Sequence, residues 1–179
     1  MTDGIRFSSN EFKVERRAHG GQEEVVVLIA TDDGQFGFII AELPGLGLFH
    51  FQVVVEGHAI GDADGTMLGS AVYRLANLKS VDHEDLAQLE DRVSIFEFLN
   101  GDDIHDAVTL SVAESLDQWL IRAFIQGERV VFMAQEFSGE NLVGPIFVSI
   151  VDRHQYDSIV ESVRSYWEAH GGNAPGRAG

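Results

Sequence analysis

The strongest constraint on the fold is a pair of β-rich runs joined by a short connection. Trp119–Gln126 and residues 129–135 are both rich in apolar side chains, and Gly127 lies in the two-residue connection between them. Two such runs, separated by two residues that include glycine, predict a β-hairpin. This part of the chain is therefore expected to lie in an antiparallel sheet.

Five further runs have the composition of strands. They are short and apolar, and several alternate apolar with polar residues. Polar residues 31–34 and the Pro-Gly pair at 44–45 supply turns between the first three runs. These three are expected to form an antiparallel meander. The predicted strands cover residues 24–31, 36–43, 46–56, 107–112 and 146–151.

Apolar residues recur at helical spacing in three places. Residues 67–78 are expected to form a helix with Thr66 as its N-cap. The acidic stretch that follows is expected to be helical in part, with its acids facing outward. Arg153–His170 is expected to form the last helix. The apolar stripes of the second and third helical regions are Leu86, Leu89, Val93 and Phe96, then Tyr156, Ile159, Val160, Val163 and Trp167.

Strands that follow strands, with helices in the middle and at the C-terminus, are typical of an α+β fold. A chain of 179 residues is of the usual size for one domain with its own core. We therefore predict a single α+β domain over residues 1–179, built on a mainly antiparallel sheet. Residues 1–22 and 171–179 are expected to be loosely ordered.

The charge of the chain is strongly unbalanced. It has 29 acidic and 12 basic residues, and the acids are densest within residues 82–106, where Arg92 is the one basic residue opposed to them. Such a chain repels nucleic acid and anionic membranes, and its field accelerates encounter with a basic partner. The alternative is that a net charge of -17 serves solubility alone.

Composition also bears on chemistry and on location. The chain has no cysteine, which excludes disulfides, thiolate zinc sites and a cysteine nucleophile. Its first ten residues lack the basic start and apolar run of a signal peptide. No apolar stretch approaches the roughly 20 residues that cross a bilayer. These features predict a cytoplasmic protein without a membrane partner.

One short motif suggests an enzyme. Asp62, Asp64, Gly65 and Thr66 form D-x-D-G-T, which resembles the nucleophile motif of the haloacid dehalogenase superfamily. A phosphatase of that type would use Asp62 as nucleophile, Asp64 as acid and base, and Mg²⁺ bound by both. However, glycines interrupt the run before Asp62, and the G-D motif near residue 102 follows after only about 40 residues, too few for several βα units. The alternative is a turn next to a helix cap, with no metal bound.

Three stretches resemble a known family. Residues 47–62 with 65–68 combine an aromatic strand, a glycine turn and I-G-D before a helix. Residues 115–120 with 127–131 resemble a D-x-W strand and a G-x-E-R hairpin, and residues 156–160 lie in the closing helix. Together they resemble the immunity proteins of bacterial polymorphic toxin and contact-dependent inhibition systems, most closely immunity protein family 42.

The resemblance implies a non-enzymatic protein without a cofactor, which binds and neutralises a cognate toxin inside the cell that makes it. Many such toxins are nucleases with cationic grooves, where a carboxylate-rich surface could replace phosphates. We expect the toxin domain to be basic. Three alternatives remain: the acids form only a solvated surface, the chain is a magnesium-dependent phosphatase that uses Asp62 and Asp64, or it is a binding module for an unrelated partner. The candidate toxin-binding acids are Asp82, Glu84, Asp85, Asp102, Asp103 and Asp106.

Overall fold

The structure, a computed structural model, describes residues 12–19, 22–43, 45–62, 65–81, 84–87, 91–110 and 113–170. Its strands are β1 (Phe12–His19), β2 (Gln22–Ala30), β3 (Phe36–Leu43), β4 (Leu48–Val55), β5 (His58–Ile60), β6 (Gly65–Thr66), β7 (Trp119–Gln126), β8 (Arg129–Ser138) and β9 (Asn141–Asp152). Its helices are α1 (Leu68–Leu75), α2 (Glu84–Ala87), α3 (Arg92–Phe98), α4 (Asp102–Val108) and α5 (Arg153–His170), with a short 3₁₀ turn at Glu114–Leu116.

The N-terminal sheet has the strand order β1-β2-β3-β4-β5, and β6 pairs with the first half of β4. Every pair of neighbouring strands in it is antiparallel. Gly37 lies opposite Ala30, and a Cβ atom at Gly37 would lie 2.5 Å from the Cβ of Ala30. Glycine at this position therefore allows β2 and β3 to approach closely.

The C-terminal sheet has the order β7-β8-β9 and is also antiparallel. The register shifts between Ala134 and Glu136, where β9 has two more residues than β8 between the pairs Ala134–Phe147 and Glu136–Val143. The free side of β7 is partly paired, because Ser80 bridges to Ile125 and Thr109 bridges to Arg122. These bridges shield part of the sheet edge.

The main core lies between the N-terminal sheet, one face of the C-terminal sheet, and helices α1 and α5. The ring of Phe36 is central, with its centroid 4.7 Å from that of Phe132 and 5.9 Å from that of Tyr156. The hydroxyl of Tyr156 donates a hydrogen bond of 2.8 Å to the carbonyl oxygen of Leu75, which ties α5 to α1. Each of these buried aromatic side chains contributes about 1.5–3 kcal/mol through burial of its apolar surface.

The C-terminal sheet is covered on both faces. Alternate residues of β8 face opposite sides: Val130 and Phe132 belong to the main core, whereas Val131 and Met133 belong to a second apolar cluster. The second cluster includes Phe96 of α3. Helices α2, α3 and α4 therefore form a separate layer on the outer face of this sheet.

The predicted α+β class is confirmed, with antiparallel sheets, helices in the middle of the chain and a C-terminal helix. The strand Phe36–Leu43 and the helix Arg153–His170 have the predicted bounds. The predicted hairpin is formed by β7 and β8. Among the described residues, no helix is both long enough and apolar enough to cross a membrane.

The predicted strand at residues 107–112 is wrong. Helix α4 continues to Val108, because Ile104 and Val108 lie one turn apart and both pack on the second cluster. Among the described residues of this segment, Thr109 and Leu110 pair with the sheet, and the amide of Leu110 donates to the carbonyl oxygen of Ile121 at 2.9 Å. Residues 111 and 112 lie outside the described residues.

Other local expectations also differ from the structure. Thr66 does not cap α1: it is buried in β6, and Met67 occupies the N-cap position without a side-chain hydrogen bond. Val93 does not belong to a buried stripe, because it is 50% exposed. Residues 12–19, expected in a loosely ordered segment, form β1. Leu89 and residues 171–179 lie outside the described residues.

Candidate interaction surface

Helices α2, α3 and α4 carry the acidic residues that the sequence singles out. They pack on the outer face of the C-terminal sheet through Leu86, Phe96 and Val108. Because these apolar residues point toward the sheet, polar residues remain on the outside of the helices. We call residues 84–87 and 91–110 the acidic layer.

Five of the six candidate acids lie in the acidic layer. Glu84 in α2 and Asp106 in α4 are exposed to solvent. Asp82 lies outside the described residues. The remaining three lie in α2 or in the first turn of α4: Asp85, Asp102 and Asp103. The fold therefore brings the two ends of the acidic stretch onto one layer.

Two more exposed acids, Asp91 and Glu97, add to the charge of this layer. Asp91 also has a local role as the N-cap of α3, where its carboxylate accepts hydrogen bonds from the amide of Ser94 at 2.9 Å and from its hydroxyl at 2.5 Å. The bonds from Ser94 lower the pKa of the Asp91 carboxyl. Asp91 is thus a fixed charge at the start of α3, whereas Glu97 lies in its last turn.

Arg122 of β7 anchors the acidic layer from below and is fully buried. Its Nη2 donates to Asn100 Oδ1 at 2.5 Å, and its Nη1 donates to the hydroxyl oxygen of Thr109. Its Cζ lies 5.9 Å from the centroid of the Phe96 ring, which is within range of a cation–π contact. Asn100 follows α3 and Thr109 follows α4, so one guanidinium fixes the ends of both helices on the sheet.

The environment of Arg122 is energetically unusual. Its Nε is buried without a hydrogen-bond partner, and no described side chain forms an ion pair with it. Burial lowers the pKa of Arg122, and the negative charge of Asp106 offsets this effect in part. Arginine stays charged at neutral pH, so the fold holds a cation beneath a surface of carboxylates.

A second basic residue, Arg92, joins the layer to both sheets. Its guanidinium donates to both carboxylate oxygens of Glu56, at 3.0 and 3.3 Å, and to the carbonyl oxygen of Ile146 at 2.8 Å. Glu56 also accepts from the amide of Val148 at 3.1 Å, and its own amide donates to the hydroxyl of Ser149 at 2.8 Å. The bond from Arg92, and then the one from Val148, hold the pKa of Glu56 below its ordinary value.

Glu56 holds this position in an uncommon backbone conformation. Its φ angle is +53°, in the left-handed region that residues other than glycine rarely adopt. Strain of this kind persists where surrounding contacts impose it. Here the contacts are those that link the N-terminal sheet, β9 and α3.

Beside Arg92, a largely apolar groove of about 240 Å³ lies between the acidic layer and the sheet. Its floor is formed by alternate residues of the three strands, including Phe124, Val131 and Val148. Its walls include Leu86 of α2 and Ile95 of α3. Concave apolar sites with a few polar groups at one end are the usual form of a binding pocket.

The D-x-D-G-T motif lies elsewhere. Asp62 follows β5, a three-residue strand that pairs antiparallel with β4, and its amide donates to the carbonyl oxygen of Ser115 at 2.8 Å. A haloacid dehalogenase nucleophile instead follows a strand of a parallel sheet. Asp64 lies outside the described residues. The described part of the chain contains no group of three or more His, Asp and Glu side chains placed to hold a metal ion.

The sequence indicates the acids and Arg92, but neither the groove nor the burial of Arg122. The groove joins residues far apart in the chain, such as Leu86 and Val148, so no local pattern indicates it. The sequence does carry one indication that both faces of this sheet are covered, because β8 has a run of apolar residues on both of its faces.

No protein-family model, curated protein or solved structure matches the chain. Its function must therefore be inferred from the chemistry of this surface.

Proposed function

We propose that the chain is an immunity protein, which binds a cognate bacterial toxin and neutralises it without catalysis. The observation that supports this most directly is the acidic layer: exposed carboxylates on three short helices, held on a sheet that is buried on its other face. The three stretches that resemble immunity proteins point to the same class of function. The proposed partner is a basic toxin domain, met in the cytoplasm of the producing cell.

The proposed mechanism is occlusion. A rigid carboxylate surface competes with phosphate groups for a cationic groove, because both present negative oxygen atoms to lysine and arginine. Complementary fields accelerate association, and the effect falls as salt screens the charges. No cofactor, nucleic acid or membrane takes part in this mechanism.

The first experiment is capture of partners from the source cells with the tagged chain in moderate salt, followed by mass spectrometry. A near-stoichiometric basic toxin domain is the expected result. Inhibition of the purified toxin at an equimolar ratio then tests neutralisation. A captured protein whose activity is unchanged by the chain would instead indicate a binding module, and the absence of a specific partner would contradict the proposal.

The role of the acidic layer is tested by charge reversal. We expect Glu84→Lys with Glu97→Lys to slow association with the toxin by about tenfold or more and to flatten its salt dependence. The matched control is Asp117→Lys with Glu140→Lys, which changes the net charge equally at two exposed positions outside the layer. Stopped-flow or surface-plasmon measurements at several salt concentrations give both quantities. Equal effects of the two pairs would show that only net charge matters.

A further inference from the structure

The groove between the acidic layer and the C-terminal sheet is open on an apolar side. Ile150 of β9 lines it and is 59% exposed. Large aliphatic side chains exposed beside an apolar groove are a common feature of protein-binding sites. The geometry thus offers a place for an apolar side chain from outside.

Charge determines which partner fits. Exposed Glu84 begins α2 and exposed Asp91 caps α3, the two helices whose Leu86 and Ile95 form the walls of the groove. The cation at Arg92 is matched by its ion pair with Glu56 at 3.0 Å. Both helices beside the rim therefore carry an exposed carboxylate, and these charges give the approach to the groove a negative field, although Arg92 lines the groove.

We propose that this groove binds an apolar side chain that projects from a basic segment of the toxin. This inference rests on the proposed function and adds to it an anchor and a sequence preference. The two parts of the surface then have different kinetic effects. Carboxylates on the rim accelerate association, whereas insertion of the side chain slows dissociation.

Synthetic peptides test the chemistry of the occupant. The first is a short fluorescent peptide of alternating lysine and leucine. In the second, alanine replaces leucine, and in the third, glutamate replaces lysine. We expect the lysine–leucine peptide to bind at least about tenfold more tightly than either control in a fluorescence-anisotropy titration, since one buried aliphatic side chain is worth about 10- to 100-fold in affinity.

One substitution separates insertion from simple charge attraction. Ile150→Asp adds a negative charge to the rim, so charge attraction alone predicts equal or tighter binding of the lysine–leucine peptide. Insertion predicts that binding weakens about tenfold or more, mainly through faster dissociation. The matched control is Leu46→Asp, which places the same acid at another aliphatic residue, 68% exposed in the turn before β4. This control should bind as the parent chain does.

Each other outcome contradicts the proposal. Equal binding of the lysine–leucine and lysine–alanine peptides would assign binding to the carboxylates alone. Equal binding of the glutamate peptide would exclude a preference for basic segments. If no peptide binds, the groove does not accept an apolar side chain from a basic segment and the proposal is wrong.

Repeating the test with the captured toxin distinguishes this inference from the proposed function. If Ile150→Asp captures and inhibits the toxin as the parent does, immunity is supported and the groove proposal is wrong. If the peptides discriminate but no toxin is captured, the groove is a binding site for basic apolar segments and the toxin assignment is wrong.

Discussion

Replacing Arg122 by methionine should stabilise the protein. The change removes a cation that is fully buried, has an unpaired Nε and forms no ion pair with a described side chain. The two groups that accept hydrogen bonds from Arg122 keep other partners. The hydroxyl of Thr109 also donates to the carbonyl oxygen of His105 at 2.6 Å, and Asn100 is exposed to water. Methionine also retains an unbranched chain that can pack against Phe96.

The magnitude follows from opposing contributions. Two hydrogen bonds from a charged donor contribute about 1.5–3 kcal/mol each, whereas burial of the ion costs several kcal/mol and the unsatisfied Nε costs about 1–3 kcal/mol more. Replacement of buried ionic groups by apolar ones of similar volume is neutral to stabilising by about 1–4 kcal/mol. We therefore expect Arg122→Met to raise the free energy of unfolding by about 1–3 kcal/mol.

Equilibrium unfolding in urea, followed by circular dichroism, measures this change. Each kcal/mol should also raise the melting temperature by about 2–4 °C in a chain of this length. Arg122→Ala is the companion variant: it removes the same charge but leaves a cavity, and should be less stable than Arg122→Met by about 2–5 kcal/mol.

A clear loss of stability in Arg122→Met, with the slope of the urea transition unchanged, would refute this reasoning. The guanidinium would then be a net stabilising group. Binding of the proposed toxin gives a second readout. Because Arg122 fixes the ends of α3 and α4, the methionine variant should bind more weakly even though it is more stable, as expected of a residue retained for function.

Two other predictions concern packing and pH. Gly69→Ala should lower the free energy of unfolding, measured in urea, by about 1 kcal/mol. The Cβ atom of the new alanine would lie 2.7 Å from Trp167 Cζ2. This clash costs about 1–3 kcal/mol, which exceeds the gain of about 1 kcal/mol in helix propensity. A more stable variant would show that α1 and α5 adjust freely. Glu56→Gln should cost about 0.5–1 kcal/mol at neutral pH, since the carboxylate is partly exposed. The folded pKa of Glu56 is lowered, so its contribution exists above the ordinary value of 4.5 and disappears as the pH falls through the folded pKa. Urea titrations should show the parent and variant converging in acid, and a constant difference would contradict the assignment.

The parts of the fold that the sequence predicts correctly are those with strong local patterns. β7 and β8 are joined by a glycine turn, and α5 has a long stripe with helical spacing, so neighbouring residues suffice to define them. The predicted strand over residues 107–112 is wrong because two patterns overlap there. Ala107 and Thr109 alternate with larger apolar residues, as in a strand. However, Ile104 and Val108 are one helical turn apart and both pack on the second apolar cluster. Tertiary packing decided between two patterns that the sequence allows.

The sequence predicts that the candidate surface is acidic, but it does not predict the groove in that surface. Exposed acids such as Glu84 and Asp106 were found from composition alone, because carboxylates with few basic neighbours are seldom buried. Arg122 looked like an ordinary strand residue, and its burial depends on helices that come before it in the chain. The groove depends on three strands and two helices at once.

The two bridges to β7 mark where the chain leaves and rejoins the C-terminal sheet, so the acidic layer lies within a single long connection whose two ends are fixed to one strand. It leaves the sheet where the amide of Val81 donates to Ile125 at 2.8 Å, and it returns where Leu110 donates to Ile121 at 2.9 Å. Closing such a connection depends only weakly on its length, since each doubling costs about 0.6 kcal/mol. Insertions between these two anchors should therefore leave the register of the sheets intact, as long as Leu86, Phe96 and Val108 still cover the outer face of the C-terminal sheet. A single scaffold can in this way carry many different outer surfaces.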